Sequence, residues 1–136
     1  MNDASEDVNG RRNLSISMVI GIITGAVGLI SGLVCILFVH DVAKELMTND
    51  LISWIAQNYD DVNALEFTMR FVGASMIVSG MLGFMFACFC HYRIRYKIAF
   101  YASLISGAFG IVLFFGLFTW ISTYLIKRSK NMFKER

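Results

Sequence analysis

Residues 14–39 read LSISMVIGIITGAVGLISGLVCILFV, which is 26 positions without one Asp, Glu, Lys or Arg. An α-helix rises about 1.5 Å per residue, so about 20 apolar residues cross the bilayer's hydrocarbon core, which is about 30 Å thick. A removable signal peptide has a shorter apolar stretch of about 7–15 residues, ending at small residues suited to cleavage. Here the run ends in LFVHDVAK (37–44), which offers no such site. The run therefore predicts a transmembrane helix.

Two more charge-free runs follow, with 20 residues at 71–90 and 29 residues at 98–126. Only 16% of the chain is charged, whereas soluble domains have about 25% charged residues. The chain contains no proline, and proline is the usual cause of a kinked or broken span. We therefore predict an all-α integral membrane protein with three continuous transmembrane helices, at 14–39, 71–90 and 98–126, packed through small residues.

Four segments lie outside these runs. They are an N-terminal tail (1–13), an acidic loop (40–70), a basic turn (91–97) and a basic C-terminal tail (127–136). Within the acidic loop, DLISWIAQNY (50–59) places apolar residues and a tryptophan at helical spacing. This pattern predicts a short amphipathic helix, which either lies in the membrane interface or packs on the rest of the loop.

Small residues recur at helical spacing in all three runs. In the first run, four glycines follow one another at intervals of four, three and four residues. Small residues let helix backbones approach closely in lipid, where no hydrophobic force drives helices together. Glycine is also simply frequent in transmembrane helices, but this regular spacing favours helix packing. The predicted packing residues are Gly21, Gly25, Gly28, Gly32, Ser75, Ser79, Gly83, Ala102, Ser106 and Gly110.

The basic turn carries the clearest signal for orientation. Arg93, Arg95 and Lys97 lie between two runs with no acidic residue among them, and such loops stay on the cytoplasmic side. With three spans, the two tails must lie on opposite sides of the membrane. We therefore predict a cytoplasmic (or mitochondrial matrix) N-terminal tail and turn, with the acidic loop and the C-terminal tail on the other side. The charge count opposes this choice, because the predicted inner segments carry five Lys and Arg and the outer segments carry seven.

The stretch CFCHYRIRYK (88–97) contains residue types that bind metals or carry redox chemistry. A zinc site needs about four converging ligands, but Cys88 and Cys90 lie about 200° apart around a helix. His40 lies at the other end of the first span, and CFC does not have the spacing of a redox C-x-x-C motif. We predict no metal and no cofactor. The two cysteines are either lipidation sites or small buried apolar residues, and the second interpretation is favoured.

The three runs contain no ionisable residue of the kind that transporters and pumps place at membrane depth, and no catalytic motif is present. A net charge of +2 is too small to indicate a nucleic-acid partner. We predict that the chain is not an enzyme but an accessory or structural subunit. Its partners would be the lipid bilayer and other transmembrane helices, either of a larger complex or of itself.

Two other functions stay open. The first is a homo-oligomeric pore of the channel, viroporin or holin-like kind, with a path lined by the hydroxyl groups of Ser75, Ser79, Ser103 and Ser106. The second is a carrier or binder of a lipid-like molecule.

The order of segments resembles the first three spans of a tetraspanin. The resemblance rests on a short first loop, on GMLGFMFACFCHYR (80–93) with its glycines and cysteines, and on the tight basic turn that follows. The sequence departs from that family because it has no fourth span and no large cysteine-bearing extracellular domain, so membership is not inferred.

Overall fold

The computed structural model describes residues 2–50, 54, 57, 61–110 and 115–133, and this part of the chain is helical without strands of a sheet, as the all-α prediction requires. A short 3-10 helix, Lys130–Met132, follows the last α-helix. The five α-helices are α1 (Asn2–Leu37), α2 (Val39–Thr48), α3 (Val62–Tyr92), α4 (Tyr96–Gly110) and α5 (Phe115–Arg128).

Among the described residues, α1 and α3 are the two helices long and apolar enough to cross a membrane. The predicted span at 71–90 lies within α3, which continues beyond it at both ends, whereas the predicted span at 14–39 begins within α1 and extends two residues past its end at Leu37. The N-terminal tail is part of α1, which has 36 residues and is therefore about 54 Å long. Asp7 and Arg11, one turn apart, form a 2.9 Å ion pair that supports this charged helical extension.

Helices α1 and α3 run antiparallel in close contact. Gly21 lies against Gly83 near one end of the contact, and Gly32 lies against Gly73 near the other. The backbones approach so closely that a Cβ atom placed on Gly21 would lie 2.7 Å from the carbonyl oxygen of Gly83. The contact therefore depends on the absence of side chains at these positions.

The prediction of a third continuous helix at 98–126 is wrong. Helix α4 ends at Gly110 and α5 begins at Phe115, and the hydroxyl oxygens of Ser103 and Thr123 lie 2.8 Å apart. Twenty residues along one straight helix would separate these side chains by about 30 Å. Helices α4 and α5 are therefore the two arms of an antiparallel hairpin, and the length of an apolar run does not reveal such a reversal.

The four long helices form a closed ring in the order α1, α3, α4, α5. Ser79 of α3 is hydrogen-bonded to Ser106 of α4. On the other side of the ring, the hydroxyl of Ser17 in α1 donates to the carbonyl oxygen of Ser122 in α5 at 3.4 Å. Successive helices of the ring run in opposite directions, so the start of α1, the 91–97 turn and the end of α5 lie at the same end of the bundle. We call this the basic end.

The prediction that the two tails lie on opposite sides is wrong for this fold. The hydroxyl of Ser129, just after α5, donates to the carbonyl oxygen of Gly10 in α1 at 3.4 Å. Met132 also packs against Gly10, and Phe133 is buried. The reason is the α4–α5 hairpin, which adds a second reversal and returns the chain to the end where it began.

The described residues next to α1 and α3 in the acidic loop, 40–50 and 61–70, lie at the far end of the bundle. Helix α2 follows α1 after a bend at Phe38 and packs Ala43 against Leu65 of α3. Sequence analysis did not predict this helix. Most of the amphipathic helix predicted at 50–59 lies outside the described residues.

The described part of the α4–α5 hairpin accompanies only part of the α1–α3 pair. Helix α4 ends at Gly110, at the level of Ser79 in α3. A Cβ atom added to Gly110 would lie 2.9 Å from the Ser79 hydroxyl oxygen. Residues 28–37 of α1 and 62–76 of α3 continue past this level, and we call them the outer half of the helix pair. Large apolar side chains are exposed there, including Leu37 at 71% and Phe71 at 72%.

Candidate functional site

The structure places nearly all the predicted packing residues at contacts between helices of this one chain. The four glycines of α1 are buried against α3, and Ser79 and Ser106 lie where α3 meets α4. Ser75 differs from the others because it is half-buried and donates to the carbonyl oxygen of Val72 in its own helix. The small-residue faces are therefore used within the monomer.

Hydroxyl groups fill the centre of the ring. Ser79 and Ser106 form two reciprocal hydrogen bonds, in which each hydroxyl donates to the other residue's carbonyl oxygen, at 2.8 and 2.9 Å. Ser103 of α4 and Thr123 of α5 are joined by one hydrogen bond between their hydroxyl groups, at 2.8 Å. A hydrogen bond between helices in an apolar setting contributes about 0.6–1.7 kcal/mol, so these pairs hold the hairpin against α3 and close it on itself.

The hydroxyls of α5 were not recognised in the sequence. Thr119, Ser122 and Thr123 are all buried, and their spacing of three and four residues places them on one face of a helix. The side-chain oxygen of Ser122 is buried without a hydrogen-bond partner in the described part of the chain. Their regular spacing within an apolar run could have predicted that this segment packs one polar face against other helices of the chain.

The basic end brings together three segments that are distant in sequence. Tyr96 of the turn stacks on Phe100 and makes an edge contact with Phe133, with ring centroids 5.8 and 5.6 Å apart. The ammonium of Lys130 lies 5.7 Å from the centre of the Tyr96 ring, within reach of a cation–π interaction. These contacts fix the 91–97 turn against the C-terminal 3-10 helix.

Eight of the twelve Lys and Arg residues of the chain lie at the basic end, and two of them show unusual backbone geometry. Arg93 and Arg95 have φ angles of 53° and 52°, in the left-handed region that long side chains rarely occupy. The far end has two described bases, while Lys134 and Arg136 lie outside the described residues. The eight are Arg11, Arg12, Arg93, Arg95, Lys97, Lys127, Arg128 and Lys130.

The two candidate lipidation cysteines have different environments. Cys88 is exposed, whereas Cys90 is only 2% exposed and belongs to the apolar cluster that includes Phe86 and Ile126. A modifying enzyme can therefore reach Cys88 but not Cys90 in the folded chain. Within the described residues, no three His, Cys, Asp or Glu side chains are grouped so that they could hold a metal ion.

A contact between a histidine and a glutamate at the far end was also missed by sequence analysis. Nδ1 of His40 lies 2.5 Å from the carboxylate of Glu66, which is 15% exposed and lies 3.9 Å from Arg70. His40 belongs to α2 and Glu66 to α3, so the contact joins the start of α2 to the start of α3. Its residues lie 26 positions apart, and no local pattern connects them.

Comparisons with protein-family models, with curated proteins and with solved structures found no match.

Proposed function

We propose that this chain is an integral membrane protein, and the distribution of side chains between its surface and its interior carries the proposal. Among the described residues, nine Ser and Thr side chains are buried beside apolar ones such as Phe86 and Ile126, while many large Ile, Leu, Val and Phe side chains lie on the outside. A soluble fold buries most of its large apolar side chains, because water drives apolar surface inward. Only 28% of the most apolar window of α1 and 39% of that of α3 is buried, so neither behaves as the core helix of a soluble domain.

In the proposed arrangement α1 and α3 cross the bilayer, and the α4–α5 hairpin enters from the basic end and returns to it. With 15 and 14 residues, these two helices are about 22 and 21 Å long, shorter than a hydrocarbon core of about 30 Å. Two spans and a re-entrant hairpin replace the three spans expected from the sequence. This arrangement also removes the conflict of charges, because the basic C-terminal segment joins the turn on the cytoplasmic side.

Within the membrane the chain would act as a non-catalytic accessory or structural subunit. The outer half of the helix pair supports this role, because the described hairpin leaves one flank of it uncovered. Phe67 and Phe71 are 75% and 72% exposed on that part of α3. At the basic end, α4 and α5 pack on α1 and α3 to make a bundle of four helices. At the outer half, helices of a partner protein would take the place of α4 and α5.

The homo-oligomeric pore gains no support from the fold. Ser79, Ser103 and Ser106 are each at most 2% exposed, and each is hydrogen-bonded within the chain. They are therefore not free to line a path between subunits. Purified protein in liposomes should accordingly leave the ion permeability unchanged, and ion leakage would restore the pore as the leading function.

Site-specific photocrosslinking in native membranes tests the subunit proposal. One photoreactive residue replaces Phe71, on the outer half. A matched one replaces Val19, which is 49% exposed on the part of α1 that the hairpin accompanies. We expect protein adducts from position 71 and only lipid adducts from position 19. An adduct of twice the 15.3 kDa chain mass would indicate a homo-oligomer instead. The absence of protein adducts at both positions would refute the subunit role.

A further inference from the structure

A polar cavity of about 450 Å³ lies at the basic end, between the first turns of α1 and the segment that follows α5. It lies directly outside the apolar part of both helices, since the charge-free runs begin at Leu14 and end at Ile126. Its size is within the range of about 300–1,000 Å³ that small-molecule sites occupy. In the proposed membrane placement, it opens at the depth of the lipid headgroups.

Asn13 is the residue that most clearly indicates a ligand. It lines the cavity and is only 9% exposed. Its side-chain amide makes no hydrogen bond among the residues that the structure describes, and the amide atoms stay accessible from the cavity, since Ser122 Oγ is the one fully buried, unpaired side-chain atom of those residues. An amide that faces an open cavity without a partner from the protein is available to a bound molecule, to which it can both donate and accept a hydrogen bond.

The charges around the cavity show what kind of molecule would fit. Glu6 and Arg128 both line it, yet they form no ion pair with each other or with other groups in the described part of the chain. The carboxylate of Asp7 is already engaged by Arg11 at 2.9 Å. The cavity thus presents a carboxylate and a guanidinium that do not neutralise each other, which suits a ligand with one positive and one negative group.

Two further amides, those of Asn9 and Asn131, line the same cavity. Amides both donate and accept hydrogen bonds, so they can serve either charged group of a ligand. The buried Ser129 closes the inner wall through its hydrogen bond to the carbonyl oxygen of Gly10. Segments from both ends of the chain therefore build the cavity, and it forms only in the folded hairpin topology.

We propose that this cavity binds a phosphoethanolamine group. Its phosphate would accept hydrogen bonds from Arg128 and from the Asn13 amide, because guanidinium groups pair well with phosphate oxygens. Its primary ammonium would donate to Glu6. The same chemistry occurs in the headgroup of phosphatidylethanolamine and in free phosphoethanolamine, and the headgroup source rests on the proposed membrane placement.

Thermal unfolding of the full chain in mild detergent tests the site. The probes are short-chain phosphatidylethanolamine, phosphatidylcholine, phosphatidylglycerol and free phosphoethanolamine. We expect the first to raise the midpoint, and phosphatidylcholine, whose ammonium has no N–H donor, to bind about tenfold more weakly. Free phosphoethanolamine binding as tightly as the lipid would support the site and assign it a soluble ligand. Equal responses to all three lipids, or none, would overturn the proposal.

Variants test the side chains of the site one at a time. Asn13→Leu removes an amide that has no partner within the described residues, so the ligand-free midpoint should stay near that of the wild type while the affinity falls at least about tenfold. Arg128→Gln, at an exposed position, should weaken binding without changing the fold. The control is Asn63→Leu at the far end, where the amide donates to exposed Asp61, and this variant should bind normally. Wild-type affinity in both Asn13→Leu and Arg128→Gln would refute the site.

The test also separates this site from the proposed function. Alkaline carbonate extraction of cell membranes tests the placement independently of any ligand. A chain that resists extraction but does not respond to phosphatidylethanolamine would refute the site alone. A chain that is extracted and still binds phosphoethanolamine would refute the membrane placement and keep the site.

Discussion

Substitution Gly28→Ala tests whether the α1–α3 contact holds the fold together. A Cβ atom at this position would lie 2.8 Å from the carbonyl oxygen of Met76 and 3.0 Å from the Cα atom of Gly80. Both are backbone atoms of α3, so no side-chain rotation can relieve the clash and the two helices must move apart. Gly25 offers a matched control, because the nearest atoms to its added Cβ atom would be ring atoms of the Phe84 side chain, at 2.8–2.9 Å, and not backbone atoms.

The expected effect combines two opposing terms. Overpacking of a tight contact costs about 1–3 kcal/mol, and replacing a helical glycine by alanine returns about 0.5–1 kcal/mol of helix propensity. For Gly28→Ala, we therefore expect the free energy of unfolding to fall by roughly 0.5–2 kcal/mol. For Gly25→Ala, the Phe84 ring can turn away, so the change should stay within about 0.5 kcal/mol of zero.

The free energy of unfolding can be measured by titrating SDS into mild-detergent micelles. Trp120 is a suitable fluorescent reporter, because its ring lies against Gly107 inside the hairpin and its surroundings change when the hairpin separates. The reasoning fails if Gly28→Ala is as stable as wild type, or if both substitutions destabilise the protein equally. Equal effects would mean that the contact yields to any added methyl group, whatever atom it meets.

Three more predictions use the same protein. Ser79→Ala and Ser106→Ala should each lower the free energy of unfolding by about 1 kcal/mol. The double variant should lower it by less than the sum, because the two hydrogen bonds are reciprocal. Strict additivity in the SDS titration would contradict this prediction. In single-cysteine variants, mass spectrometry should show maleimide labelling of Cys88 in the folded state and of Cys90 only after denaturation. Equally fast labelling of both would show that Cys90 is not buried. Arg93→Gly should raise the free energy of unfolding by about 0.5–1 kcal/mol, since glycine adopts the left-handed region without strain; a decrease would show that the arginine side chain outweighs the strain.

How far the sequence predicts the fold depends on whether the signal is local. The run at 71–90 lies within one long helix, and the run at 14–39 does so as far as Leu37, because length and the absence of charge are properties of a single segment. The run at 98–126 has the same two properties but reverses direction within it. An apolar run of 29 residues can lie in the hydrocarbon core either as one tilted span or as two shorter helices that form a hairpin. Composition alone does not choose between them.

Two signals for the reversal were nevertheless present. Gly107, Gly110 and Gly116 cluster in the middle of the run, and Gly107 is where the ring of Trp120 packs between the arms. The basic C-terminal segment also conflicted with the orientation that three spans imposed. Its bases belong with the 91–97 turn once the chain turns back, which explains the conflict.

The cavity at the basic end was beyond prediction, because its parts come from opposite ends of the sequence. Asn13 and Arg128 are ordinary residues in their own segments and become neighbours of one cavity only when α5 returns to α1. The same holds for His40 and Glu66.

The sequence by itself determined where the apolar runs lie and that they are helical, and that α1 carries a face for close contact. These properties depend on side chains within one helix, at intervals that its geometry brings onto one side. Only the tertiary structure decided what meets that face. The glycines of α1 pack on α3 of the same chain, because the reversal of the α4–α5 hairpin closes the ring and buries the small residues inside it. A stripe of small residues specifies that a backbone must come close, and the connections between helices specify which one.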